Sequence, residues 1–235
     1  MIRQIALDTE TTGIGHAQGH RLIELGCVEI IDRKLTGRHY HTYFNPERKI
    51  DEGAFKVHGL SISFLQDKPL FDDCITSILD FIDGAELIIH NAPFDLGFLN
   101  AELARARIGK TIEDYCTILD TLVLSRQKNP GQRHSLDALC KRYFIDNTKR
   151  TLHGALLDAQ ILSHVYLAMT GGQSALSFEE STPSPQHASA SVKKETLTSQ
   201  SPVQYASAEE IKAHADFISF LEKKSGMMWG GNAVV

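Results

Sequence analysis

The sequence predicts an α/β fold: a mixed sheet flanked by helices, followed by a flexible linker and a short C-terminal helix. Three observations carry this expectation. Three strand-like segments precede any convincing helix, strands and helices alternate from about residue 70 onward, and the composition changes abruptly near residue 179.

Residues 2–7 read as a buried strand, and residues 22–31 with 39–44 read as a strand pair turned near Lys34 to Gly37. Residues 70–82 have helical spacing, 86–90 form a short apolar strand, and 93–106 form a helix with Pro93 in its first turn, where its missing N–H has no partner to lose. A further strand over 116–119 leads into helical segments near 121–126, 135–143 and 155–169. Residues 179–206 are rich in Ser, Thr, Pro and Gln and almost free of large apolar side chains, so they cannot bury enough surface to offset the entropy of ordering. Past that linker, Ser207-Ala-Glu-Glu210 has the capping-box pattern. Ile211, Ala215, Ile218 and Leu221 follow at helical spacing, and Gly226 is placed to stop the helix.

A chain of 235 residues accommodates one well-buried α/β domain plus an appendage. Its 42% hydrophobic and 23% charged residues are near the globular average, which excludes a disordered or fibrous chain as a whole. No apolar run approaches the ~20 residues that span a bilayer, and the start lacks the basic-then-apolar layout of a signal peptide, so the expectation is a cytoplasmic protein with no membrane association. Cys27, Cys74, Cys116 and Cys140 are scattered without a C-x-x-C pair, which suits buried thiols better than zinc ligands or disulfides. The net charge of −5 predicts modest affinity for any free nucleic acid, because cationic side chains usually dominate the grip on phosphates.

The chemistry is carried by acids and one histidine. In Asp8-Thr9-Glu10 the two-residue period of a strand puts both carboxylates on one face, roughly 6 to 7 Å apart, a spacing suited to shared ligation of divalent ions. Strand-end residues facing solvent are the alternative there. Asp95 falls in the first turns of a helix that Asn91 can cap; a ligand role and simple stabilisation by the helix dipole both fit it. His153 and Asp158 are five helical steps, or ~140°, apart and cannot share a regular helical face. The economical arrangement has Asp158 on the helix and His153 on the preceding loop, loosened by Gly154, where a neutral imidazole can take a proton from water. An isolated His is equally read as a surface or capping residue. Carboxylate oxygens without thiolates favour Mg²⁺ or Mn²⁺ over Zn²⁺. Between Arg126 and Arg150 basic residues outnumber acidic ones, which supplies local positive potential or merely a solvated helical face.

The order and spacing of these pieces resemble the DEDDh exonucleases, a branch of the RNase H-like superfamily, over residues 1–172. Asp8 and Glu10 match the first motif, Asp95 the second, and His153 with Asp158 the third. The resemblance implies an RNase H-like mixed five-stranded sheet, removal of nucleotides in the 3′ to 5′ direction, and two Mg²⁺ or Mn²⁺ ions held by the four acids. It also implies Asp8 shared between both ions, Glu10 and Asp158 on the water side, Asp95 at the other ion, and His153 as general base. Substrate contacts are implied for Thr11, Thr12 and Gly13 near the terminal nucleotide, Val57, His58 and Gly59 at the frayed bases, and Asn91 near the backbone. A solvated loop residue is the alternative at His58.

Residues 173–178 resemble the bacterial sliding-clamp-binding peptide, with Gln173, Leu176 and Phe178 as anchors. The tail, residues 207–235, includes Met227-Met228-Trp229 and is too small to form a core alone, which suggests docking onto a partner. Core, peptide, linker 179–206 and tail together are similar to the proofreading subunits of bacterial replicative DNA polymerases. That likeness implies a DNA substrate with a frayed or single-stranded 3′ end, a polymerase alpha subunit bound by the tail, and the sliding clamp bound by 173–178. In some members a theta subunit binds as well. Tethering would reconcile such a role with the acidic charge, since a linker raises effective concentration to roughly millimolar. Two rivals share the core: a stand-alone RNA or DNA end-trimmer, and an inactive module bridging clamp and polymerase. The five chemical positions are all present, which an inactive scaffold has no need to keep.

Overall fold

The computed structural model describes residues 2–148, 150–171 and 206–225. The chain divides into two units, Met1–Phe178 and Glu179–Val235.

In the first unit a five-stranded sheet runs in the order β3-β2-β1-β4-β5. Strand β1 (Arg3–Thr11) pairs antiparallel with β2 (Leu22–Ile31), which pairs antiparallel with β3 (Lys34–Tyr43). On its other side β1 is parallel to β4 (Glu86–Ile89), and β4 is parallel to β5 (Thr117–Asp120). The mixed sheet matches the expected fold class. The turn between β2 and β3 does not lie at Lys34 to Gly37. Asp32 and Arg33 make it, with φ of 46° and 64°, and the short Asp32 carboxylate is tied back to the Ile2 N–H at 2.9 Å. Gly37, which suggested the turn, sits inside β3 at φ 83°, where the register between β2 and β3 shifts.

Alternate residues of β1 feed two cores. Ile5 and Leu7 pack with Leu25, Leu87 and Ile89 against α3 (Phe71–Ile82) and α4 (Ala92–Arg105), through Ile75, Ile78, Phe98 and Leu99. Ala6 joins Val28, Ile30 and Ile88 on the opposite face, under Ala159, Leu162 and Tyr166 of α7 (Ala155–Thr170). A third cluster joins α7 to α6 (Leu136–Tyr143) through Leu139, Cys140, Ile161 and Val165. Gly26 lets α7 come close: a Cβ there would lie 2.3 Å from the carbonyl carbon of Ala155 and the nitrogen of Leu156. Gly26 is the antiparallel partner of Asp8, so this close approach sets the start of α7 beside the first acid.

Two short helices, α1 (Glu52–His58) and α2 (Ile62–Leu65), occupy a stretch with too few turns to show a helical period in sequence. A further α-helix of this unit, α5 (Thr121–Lys128), follows β5 directly. All four cysteines are free, with Cys27, Cys116 and Cys140 buried.

In the second unit α8 spans Ala208–Ser225. The capping box forms as the sequence suggests, with the Ser207 N–H donating to Glu210 Oε2 at 2.8 Å and the Glu210 N–H to Ser207 Oγ at 3.2 Å. Ile211, Phe217 and Phe220 on this helix are exposed. The clamp-like peptide at 173–178, linker residues 179–205, Gly226 and Met227-Met228-Trp229 lie outside the described residues. Among the described residues, no helix is long and apolar enough to cross a membrane.

Candidate active site

A cleft of about 630 Å³ opens at the carboxyl ends of β1 and β4, the usual position for a site on an open α/β sheet. Asp8 and Glu10 continue the face of β1 that packs under α7. Immediately after Glu10 the register against β2 shifts, with Ile23 of β2 left without a partner in β1 where the cleft begins. Asp158 enters from the first turn of α7, and its own N–H donates to Gly154 O at 2.9 Å. His153 sits on the loop before that helix, as its angular separation from Asp158 requires. Its N–H donates to Val57 O at 3.1 Å, tying the loop to the end of α1. One ligand atom each from Glu10, His153 and Asp158 lies within 4.8 Å of the others, a grouping that fits a divalent ion.

Asp95 comes from the opposite layer, in the first turn of α4, and accepts a 2.6 Å hydrogen bond from Thr9 Oγ1. Asn91 stands at the N-cap of this helix in the left-handed region, φ 70°, and its side chain makes no capping bond. Asp120 does that work. Its Oδ2 accepts from the Ala92 N–H at 3.1 Å, while its Oδ1 accepts from Asn91 at 3.2 Å and from Leu122 at 2.8 Å. One carboxylate thus braces the starts of both α4 and α5.

The acids cannot all be charged together without a cation. Burial, then the charges of Asp95, Glu10 and Asp158, hold Asp8 well above the usual carboxylate range. Burial and the facing Glu24 push Glu10 up to about 8. Burial pushes Asp95 to about 7 against the pull of the Thr9 hydrogen bond. Desolvation and the Arg150 charge lower His153, opposed by Asp158, so the imidazole is neutral at physiological pH. The converging carboxylate oxygens suit a divalent cation.

Thr11, Gly13, Val57, His58 and Asn91 line the cleft. Thr12 does not: its side chain is fully buried, and its hydroxyl accepts from the Arg21 N–H at 3.0 Å, which turns it into the frame of the β1–β2 connection. His58 is 4% exposed and not solvated; its Nδ1 accepts from the Leu60 N–H at 2.9 Å, which puts its proton on the buried Nε2, toward the Thr11 backbone.

Sequence reasoning missed three contributors. Gly26 carries no sequence signal beyond being a glycine in a strand, whereas Asp120 directly precedes a helix and had the N-cap signature. Arg150 shows in the sequence only as part of a basic stretch. It reaches into the cleft, where its Nε and Nη2 donate to the two carboxylate oxygens of Asp158 at 2.6 and 2.8 Å. Among the described residues it is the only Lys or Arg in the cleft lining.

A family model described as Exonuclease matches residues 5–166. Over 232 residues the chain is 50% identical to the DNA polymerase III subunit epsilon of Salmonella typhimurium, with 95% of each chain covered. It is 49% identical to the same subunit of Escherichia coli strain K12, again over 232 residues and 95% of each chain. Among solved structures, Exonuclease X in complex with 5′ overhanging duplex DNA is similar at TM-score 0.55 and 26% identity, covering 74% of this chain and 95% of that one.

Proposed function

The chain belongs to the exonuclease family, and from that premise we propose that it is the 3′-5′ proofreading subunit of a bacterial replicative DNA polymerase, releasing nucleoside 5′-monophosphates by two-metal-ion hydrolysis. The observation that carries this reading is the convergence of Asp8, Glu10, Asp95, His153 and Asp158, from both layers of the fold, on one cleft. The relatives' name supports the polymerase setting.

In this reading Asp8, Glu10 and Asp158 would hold the ion on the water side, and Asp8 with Asp95 would hold the other. When bound, the ions supply an activated water and offset charge on the departing 3′ oxygen. His153, neutral and on a tethered loop, takes the proton of the attacking water as the new P–O bond forms and the P–O3′ bond breaks. The exposed Val57 offers an apolar surface to the base of the terminal nucleotide, and the buried His58 backs the cleft wall beside it. Thr11, Gly13 and Asn91 flank the same space. A mismatched end frays at lower cost than a paired one, so melting energy contributes selectivity.

The partners follow from the same reading. The exposed Ile211, Phe217 and Phe220 of α8 support docking of the tail onto the polymerase alpha subunit. Gln173, Leu176 and Phe178 would engage the sliding clamp, a theta subunit is a further candidate, and a cytoplasmic setting goes with the role. Deletion of residues 173–235 should abolish capture of polymerase and clamp while leaving the nuclease intact. Retained capture would shift the reading to a different docking surface.

The decisive experiment measures Mg²⁺- or Mn²⁺-dependent release of 5′-mononucleotides from a labelled primer with a mismatched 3′ end. Activity in the parent and its loss in Asp8→Ala is the expected result; no activity with either metal would refute the proposal.

A further inference from the structure

Arg150 stands among the acids of the cleft with its side chain only 9% exposed. Besides the two bonds to Asp158, its Nη1 donates to Asp137 Oδ1 at 2.8 Å and its Nη2 to His153 Nδ1 at 2.9 Å. Only a planar guanidinium fork serves three partners in this way; a lysine ammonium has neither the reach nor the geometry.

Two capabilities of the site are occupied by this one cation. Both carboxylate oxygens of Asp158 accept N–H bonds from it, in competition with any divalent ion held at Asp158. His153, accepting at Nδ1 from a group that can only donate, carries its own proton on Nε2 and has no lone pair left for a proton from water. Asp137, by contrast, lies at the rim with its side chain 54% exposed, and Asn147 Nδ2 holds it at 3.0 Å. It can keep the guanidinium after Asp158 lets go.

Building on the exonuclease reading above, we infer that Arg150 is a positioning residue that stands in for the divalent ion in the metal-free enzyme: entry of the ion at Asp158 displaces the guanidinium and frees the base nitrogen of His153 in the same step. A buried carboxylate is costly unless it is protonated or paired with a cation, and Arg150 provides a cation that is already on the chain. Metal loading and base availability are thereby a single event, with Asp137 retaining the displaced side chain at the cleft mouth.

The test uses the full chain. Calorimetric titration with Mn²⁺ compares the parent with Arg150→Gln and Arg150→Lys, alongside melting curves in chelator and in Mn²⁺. The Gln variant should bind Mn²⁺ about tenfold more tightly, because no bidentate charge-assisted pair has to be broken. It should also melt lower in chelator and gain more from Mn²⁺, with Lys intermediate. A merely structural arginine would lower both melting points alike and leave affinity unchanged or weaker, and that outcome overturns the inference. Should the Gln variant fail to fold, the parent decides. Its Arg150 Nε–H resonance and the ring nitrogens of His153 should shift at calorimetric saturation with Mg²⁺, and unchanged signals would overturn the inference. Absence of metal binding in parent and variants alike would instead remove the metal-site reading on which this one rests.

Discussion

Thr9 and Asp95 are joined across the two layers of the fold by a hydrogen bond of 2.6 Å, from the hydroxyl of a β1 side chain to a carboxylate in the first turn of α4. The bond favours the charged form of Asp95 against burial. Thr9→Val removes a bond to an ionisable group worth about 1.5–3 kcal/mol, so Asp95 should titrate above its present value of about 7. Carboxyl-carbon NMR of the metal-free protein reads this directly, and the acid limb of the pH–rate profile should move to higher pH. An unmoved Asp95 titration would show that the hydroxyl is not what holds it down.

Stability should depend on pH through the same acids. Glu10 and Asp95 titrate near 8 and 7 in the metal-free fold, whereas free carboxylates titrate near about 4. The folded state keeps protons that the unfolded chain has lost. Their contribution is complete below the unfolded values and disappears as pH rises through the folded ones. In chelator the melting temperature should therefore fall between about pH 5 and pH 8, and saturating Mn²⁺ should abolish the fall. A flat profile in chelator would contradict the assigned titrations.

Asp120 is expected to matter more than its position outside the acid cluster implies. Asp120→Ala leaves N–H groups at the starts of α4 and α5 without their acceptor and should cost about 1–3 kcal/mol by denaturant unfolding. Because α4 carries Asp95, nuclease activity should fall as well. Asp120→Asn, which keeps an acceptor oxygen, should recover most of the stability.

Gly26→Ala tests the close approach of α7. The added methyl meets backbone at 2.3 Å, not the yielding end of a side chain, so the helix must move. Destabilisation of about 1–3 kcal/mol is expected, with a fall in activity because Asp158 moves with the helix. Normal melting and turnover would mean that the start of α7 yields without consequence.

Much of this arrangement was legible in the residues. The strand period placed Asp8 and Glu10 together, and the helical angle separated His153 from Asp158; both are consequences of local geometry, and both hold in the fold. Long helices such as α3 and α7 showed themselves by period, while α1 and α2 were too short to do so. The hairpin turn lies before Lys34 because Asp32, a residue type that tolerates left-handed backbone, and Arg33, which rarely adopts it, make the turn, while Gly37, a stronger turn signal, sits inside β3. Arg150, Thr9 and Gly26 act through partners far away in sequence, such as Asp137, Asp95 and Ala155, and no local pattern reports on those meetings. Thr12 lies between two cleft residues in sequence, but its hydroxyl is taken up by the Arg21 N–H and the His20 ring.

The division of β1 into alternate faces also bears on how such a strand can vary. Ile5 and Leu7 feed one core, and Ala6, Asp8 and Glu10 lie on the other side, all within a strand paired along both edges. Exchanging one apolar side chain for another leaves that assignment intact. Removing a single residue between Ile5 and Leu7 would instead invert it, driving two carboxylates into the α3–α4 layer and Leu7 into the place of Ala6 under α7. The strand can drift in composition but not in length, and the position of its acids is inherited as a count of residues.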